Sequence, residues 1–436
     1  MFTYATLHIE AICLAVILFV TVITYLVVKF KNIGFIFSTL IYVLGYFVLY
    51  NIISCSIVEY ITYFALPSLV LSLLTISIFE KKEKGKSKDN PFRIEFLDES
   101  KKKFYWEDIN TGVAISGASG AGKTASVIYF LLKHYAKHSF AGIIYDYKFY
   151  ELTEIAYPLF KKQNIKVNIF SPADVNRSIR INPIAPQRMN NESSINSLVS
   201  TFVMNLSQSD ASSEASKFFK DGCESLIAGV IWRLKKDYPE KCNLPFLTAF
   251  LLAADNHHEK FKSPEGITLT EPFKKLVDWI CKDPRAELAA SVFLTGLSNS
   301  RQTGSLYSTL AAALRKIASP EIFYLLGADE VPLDLNADDN RSVISIVNDP
   351  SETEEAISPI LATVVDACLS QMSKRGRKPS FVLLDEAPTI KIMNLAKRIA
   401  TLRSYGFSFV YCLQDMVQAV AQWDGKKYVA RSILAQ

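Results

Sequence analysis

The sequence predicts an α/β protein with a parallel central sheet, an inserted all-helical stretch and a set of N-terminal transmembrane helices. Three observations predict it. Short apolar runs alternate with helical patterns over residues 112–170 and again over 341–413; a stretch rich in helical patterns with few strand signals separates them; and three early stretches carry no charge. With 436 residues the chain exceeds the usual domain of about 100 to 200, so two or more units are expected. Half of the residues are hydrophobic while 21% are charged, a balance that fits a membrane segment joined to a soluble body.

The uncharged stretches are residues 11–28, 32–58 and 60–79, each long enough for a span of about 20 residues. They are apolar on every face, unlike a core helix with one apolar stripe. Lys29 and Lys31 follow the first stretch, Glu59 separates the second from the third, and "EKKEKGKSK" follows the third. By the positive-inside rule this gives three spans, an outside N-terminus and a cytoplasmic body; a two-span hairpin with one re-entrant stretch is the alternative. Residues 1–80 are thus expected to be an anchor and 81–103 a basic linker able to sit against anionic headgroups.

After the linker, "GVAIS" is a short strand and "GASGAGKT", residues 117–124, fits GxxxxGK[ST] without a mismatch. Its glycines let the backbone wrap so that N–H groups point at phosphate, and the following helix "ASVIYFLLKHY" offers its N-terminus to the same anion. Gly117, Ala118, Ser119, Gly120, Ala121, Gly122, Lys123 and Thr124 are therefore read as nucleotide-binding, with Lys123 on the β- and γ-phosphates of ATP and Thr124 on Mg²⁺. "FAGIIYDYK" and "IKVNIF" continue the sheet. Asp146 and Lys148 fall at a strand end, where such sheets bind ligands; a solvated strand end explains them equally well.

From 188 to 327 helical patterns dominate, with no repeat and no chemical motif, so the residues leave the role of this insertion open. It divides the nucleotide-binding unit into residues 104–187 and 328–436. In the second part "FVLLDEAP", residues 381–388, carries two carboxylates at the tip of an apolar strand, as a Walker B strand requires. Asp385 would hold Mg²⁺ through water, and Glu386 would orient and activate the attacking water. The basic turn "SKRGRKPS" just before it reads as a solvated connection. A helix with Ile392, Leu395, Ile399 and Leu402 on one face follows, stopped by Gly406, and then the strand Phe407–Leu413.

Gln414 ends that strand, where an amide can reach both a γ-phosphate and the attacking water; a plain strand-end cap is the alternative. Arg403, at the end of the preceding helix, is badly placed for its own nucleotide and well placed for a neighbour's; the alternative is a cation favouring a helix C-terminus. Seven dispersed cysteines without a CxxC pair and five histidines without metal spacing argue against a disulfide framework or a structural metal. A net charge of +5 permits an anionic partner without arguing for one.

Taken in order, the N-terminal spans, "GASGAGKT", "DYK", "INPIAP", the helical insertion, "LLDEAP" and "RSYGFSFVYCLQDMVQ" resemble the coupling proteins of type IV secretion systems, the TraG/TraD-type ATPases of conjugation. The resemblance implies a RecA-like motor forming a homo-hexameric ring under the bacterial inner membrane, using ATP and Mg²⁺ to pass relaxase-bound single-stranded DNA to the secretion channel. It implies a substrate-recognition role for the helical insertion. It also implies that Arg403 acts on a neighbour's nucleotide and that Gln414 senses the γ-phosphate. Three spans exceed the two usual in the family. The family motor continues with further strands past the segment matching "WDGKKYVARSILAQ"; a chain complete here would expose a sheet edge for a partner to cover, and a fragment of a longer motor is the simpler expectation. A nucleotide-switched substrate receptor with little turnover and an FtsK/HerA-type translocase are the alternatives.

Overall fold

The structure is a computed structural model. It describes residues 22, 43–47, 50–51, 56–66, 90–97, 102–118, 120–206, 214–254, 260–262, 268–298, 300–351, 354–422 and 433. Two compact units divide after Asn90.

In the first unit most of the three uncharged stretches lies outside the described residues, and no helix among the described residues is long and apolar enough to cross a membrane. Ser56 opens a helix over Ile57–Tyr60 through a capping box: its hydroxyl accepts from the Glu59 amide, and the Glu59 carboxylate accepts from the Ser56 amide.

In the second unit, β1 (Ile94–Leu97) and β2 (Lys103–Trp106) form an antiparallel hairpin, whose first strand falls within residues 81–103, expected to be a basic linker. Then come β3 (Val113–Ser116), β4 (Ala141–Asp146) and β5 (Lys166–Phe170), alternating with α1 (Tyr129–Lys137) and α2 (Glu151–Lys161). Helices α3 (Glu192–Leu206), α4 (Glu214–Asp237), α5 (Leu244–Ala254), α6 (Glu271–Cys281), α7 (Pro284–Ala289), α8 (Ser291–Gly296), α9 (Ser300–Lys316) and α10 (Pro320–Leu326) follow. This stretch, expected to be all-helical, also carries a small antiparallel ribbon of β6 (Lys260–Lys262) and β7 (Thr268–Thr270) between α5 and α6. The chain returns through β8 (Ser342–Val347), α11 (Glu354–Met372), β9 (Ser380–Leu384), α12 (Leu395–Leu402), β10 (Phe407–Leu413) and α13 (Met416–Gln422).

Six strands form one parallel sheet in the order β3, β10, β9, β4, β8, β5. Strands β4, β8, β9 and β10 are buried along their whole length, which is why they read as unbroken apolar runs rather than as alternation. Successive side chains feed opposite cores. Ile144, Phe381, Leu383 and Val410 pack under α1 and α2. Ile143, Tyr145, Val382, Leu384 and Phe409 face a second core shared with α3, α11 and the helical stretch. Because β5 and β8 are sheet neighbours, everything between them is an excursion that leaves the sheet and re-enters it one strand over.

Candidate nucleotide site

Strand order decides what can meet. The strand β10 lies between β3 and β9, so the tips of all three open at the same edge, and the Gln414 end of β10 stands between the phosphate loop and the acidic pair. In the loop, Gly120 (φ +76°) and Gly122 (φ +81°) take left-handed conformations that L side chains rarely adopt. A Cβ at either position would meet nothing within 4 Å, so the demand is conformational and leaves the cradle open. Gly117 N–H donates to the Leu413 carbonyl at 3.2 Å, and Ala121 N–H closes a turn onto the Ala118 carbonyl. Ser119 lies outside the described residues. Thr124 begins a wide helical turn, Thr124–Ile128, that runs into α1.

Lys123 Nζ donates to the Gly117 carbonyl at 2.7 Å and lies 3.5 Å from Glu386 Oε1, with both side chains shielded from solvent. Asp385 and Glu386 are 4% and 2% exposed. Glu386 has φ +43°, a left-handed conformation in a non-glycine residue, and such strain persists only where the surrounding structure enforces it. Gln414 Nε2 donates to Glu386 Oε1 at 3.3 Å. Burial pushes the Asp385 carboxyl up to about 6; Glu386, Asp146 and Glu151 add to the shift and Lys148 opposes it.

Two residues here have roles the sequence did not show. Glu151 Oε1 accepts from the Thr124 hydroxyl at 2.9 Å, and its other oxygen lies 3.7 Å from Lys148 Nζ. The only sequence signal for it is an acidic residue opening the helix after "DYKFY". Asp146 is fully buried, neither a solvated strand end nor open to a ligand: one oxygen accepts from the Leu152 and Thr153 amides and the Thr153 hydroxyl, holding the first turn of α2. Its Oδ1 has no hydrogen-bond partner among the described residues, and burial raises the pKa of the group.

Arg403 stands apart. It lies in a short turn, Arg403–Tyr405, ahead of β10, exposed and with no side-chain hydrogen bond or ion pair among the described residues. The six steps of β10 at roughly 3.3 Å each set Phe407 and Leu413 about 20 Å apart, with Arg403 before the first and Gln414 after the last. Gly406, at φ +79°, ends this turn as expected of a helix stop. Behind it Arg398 Nη2 lies 2.6 Å from the buried Asp366 and donates to Ser197, and Asn205 pairs with both the N–H and the carbonyl of Lys391. These contacts clamp the segment after Glu386 to α3 and α11.

The donor set fits a nucleotide triphosphate with a divalent cation. A glycine cradle and one lysine face an edge where a hydroxyl, Thr124, stands near crowded carboxylates. A cation there would favour the charged form of Asp385, which burial and the neighbouring carboxylates disfavour.

A family model described as type IV secretory system conjugative DNA transfer matches residues 80–435. No curated protein sequence matches. Among solved structures, the unbound bacterial conjugative coupling protein TrwBΔN70 shares 14% identity over 82% of this chain and 72% of that one, with a TM-score of 0.57. TrwB with the non-hydrolysable ATP analogue ADPNP shares 15% identity over 75% and 68%, TM-score 0.54. TrwB with ADP and Mg²⁺ shares 14% over 75% and 69%, also at 0.54. At these identities the likeness shows a common fold. The family match covers most of the chain, and the protein belongs to the type IV secretory system conjugative DNA transfer family, that of the conjugative coupling proteins.

Proposed function

We propose that this chain is the inner-membrane coupling ATPase of a conjugative type IV secretion system, hydrolysing ATP to recruit relaxase-bound single-stranded DNA and drive it toward the secretion channel. One observation carries the reading: Lys123 from the loop after β3 and Gln414 from the end of β10 both come within 3.5 Å of the Glu386 carboxylate, which follows β9. ATP and Mg²⁺ as cofactors draw support from the TrwB complexes with ADPNP and with ADP and Mg²⁺.

In this reading the loop amides of residues 117–124 hold the phosphates, and Lys123 leaves the Gly117 carbonyl for the β- and γ-oxygens. Thr124 and, through water, Asp385 would hold Mg²⁺, which when bound would offset the negative charge of the phosphates. Glu386 orients the attacking water and takes its proton, while Gln414 fixes the carboxylate and reports the γ-phosphate. Arg403, too far to serve its own site, reaches the nucleotide of the next subunit in a homo-hexamer.

A multi-pass anchor, with the nucleotide-binding unit in the cytoplasm, is part of the proposal. Support comes from the large apolar side chains that the first unit leaves open: Leu44 and Phe47 are 58% exposed and Val58 68%. The test is ATP hydrolysis by the purified full chain with and without single-stranded DNA. DNA should accelerate turnover, and Lys123→Ala should abolish it; hydrolysis indifferent to DNA counts against a DNA motor.

A further inference from the structure

The helical stretch holds a groove of about 530 Å³ between the end of α4 and helices α5 and α6, within the size range of ligand sites. Leu234 and Leu276 form an aliphatic floor. Phe246, Phe250 and Trp279 form a wall set by several contacts. Phe246 and Phe250 stack at 6.1 Å and 11°, and Trp279 meets Phe250 edge-on at 5.1 Å. The indole N–H donates to Asp237, and Arg233, paired with the same carboxylate, lies over the ring. These three aromatic residues are only half-buried, unlike the core that the floor leucines join. Ordering them costs little on binding, because their rotamers are already fixed.

The charged residues among the described lining are Lys241 and Lys275, both exposed. The Asp237 carboxylate stands behind Trp279, paired with Arg233. Lys241 Nζ sits 5.7 Å from both the Tyr238 and Phe246 rings, so its ammonium is held at the apolar wall. An apolar trough with cations beside it suits a chain that alternates large apolar groups with carboxylates. The described lining carries no side-chain amide or carboxylate to read a base edge. We propose that this groove is a docking site for an acidic, amphipathic peptide segment of a protein partner, its apolar side chains on Phe250, Leu276 and Trp279 and a carboxylate on Lys241. The proposal does not depend on nucleotide turnover.

The test uses the full chain in detergent and a fluorescein-labelled hexapeptide, a phenylalanine–leucine pair flanked on each side by two glutamates, read by anisotropy. Saturable binding is expected, weakened at least tenfold by Lys241→Glu, which changes an exposed residue, and by Ala253→Trp, which fills the groove from an exposed lining position. A lysine-flanked peptide of the same core should bind at least tenfold more weakly. Equal binding of the two peptides, or binding indifferent to Ala253→Trp, overturns the proposal. So does a labelled oligothymidylate that binds in a manner lost with Ala253→Trp while the acidic peptide does not bind, since the occupant is then a nucleic acid. ATP turnover in both variants reports separately on the nucleotide site.

Discussion

Gln414 donates its side-chain amide to the Glu386 carboxylate at 3.3 Å, although 28 residues and a whole helix separate them in the chain. The contact exists because β10 is inserted between β9 and β3, so its tip is the one next to both motifs. Gln414→Ala should lower the DNA-stimulated turnover number about ten- to a hundredfold, the usual range for loss of a positioned polar group, with little change in KM. Steady-state kinetics reads the two apart. An equal rise in KM with unchanged turnover would assign Gln414 to binding alone.

Arg403 lies at the far end of the same strand. Arg403→Ala should therefore inactivate the assembly without weakening ATP binding to the isolated subunit. Mixed with Glu386→Gln subunits, themselves inactive, it should recover activity, because roughly a quarter of neighbouring pairs then join an intact carboxylate to an intact arginine. No recovery in co-assembled mixtures argues against action on the neighbour.

The Asp385 carboxyl, pushed up to about 6 by burial among other carboxylates, makes a stability prediction. Its pKa in the folded chain exceeds that in the unfolded chain, so between about pH 4 and 6 the folded state binds the extra proton. Stability therefore falls as pH rises through that window, and the cost is full above it, at about 2 to 3 kcal/mol. Asp385→Asn should raise the Tm of the nucleotide-free protein at pH 8, with the gap closing by pH 5, while removing Mg²⁺-dependent turnover. Thermal denaturation at the two pH values checks it.

Gly142 is the second residue of β4, where a Cβ would come within 2.3 Å of the Phe381 ring. That ring stacks on Tyr135 at 4.6 Å and on Phe160 at 5.7 Å, so it has no room to retreat. Gly142→Ala should cost about 1 to 3 kcal/mol, seen as a lower Tm at every pH.

The motifs legible in the sequence are those that local chain geometry encodes: glycines for a left-handed loop, a buried strand ending in Asp385 and Glu386, and Gly406 as a helix stop. Other features depend on distant partners. Nothing local says that β10 enters between β3 and β9, or that Asp146 turns inward to cap α2. The hairpin β1–β2 was hidden by its charge, because Lys103 pairs with Glu95, and Arg93 with Glu107, only once the strands meet. The Asn205 clamp on Lys391 joins residues 186 positions apart and has no sequence signature.

The most direct test of a hydrolytic site built on Glu386 is Glu386→Gln in the full chain, with retained radiolabelled ATP and released phosphate measured in the same sample. The expected result is ATP bound with near wild-type affinity and phosphate release reduced at least a hundredfold, with or without single-stranded DNA. Phosphate release at the wild-type rate would contradict the assignment of Glu386 and, with it, the chemistry proposed for this site.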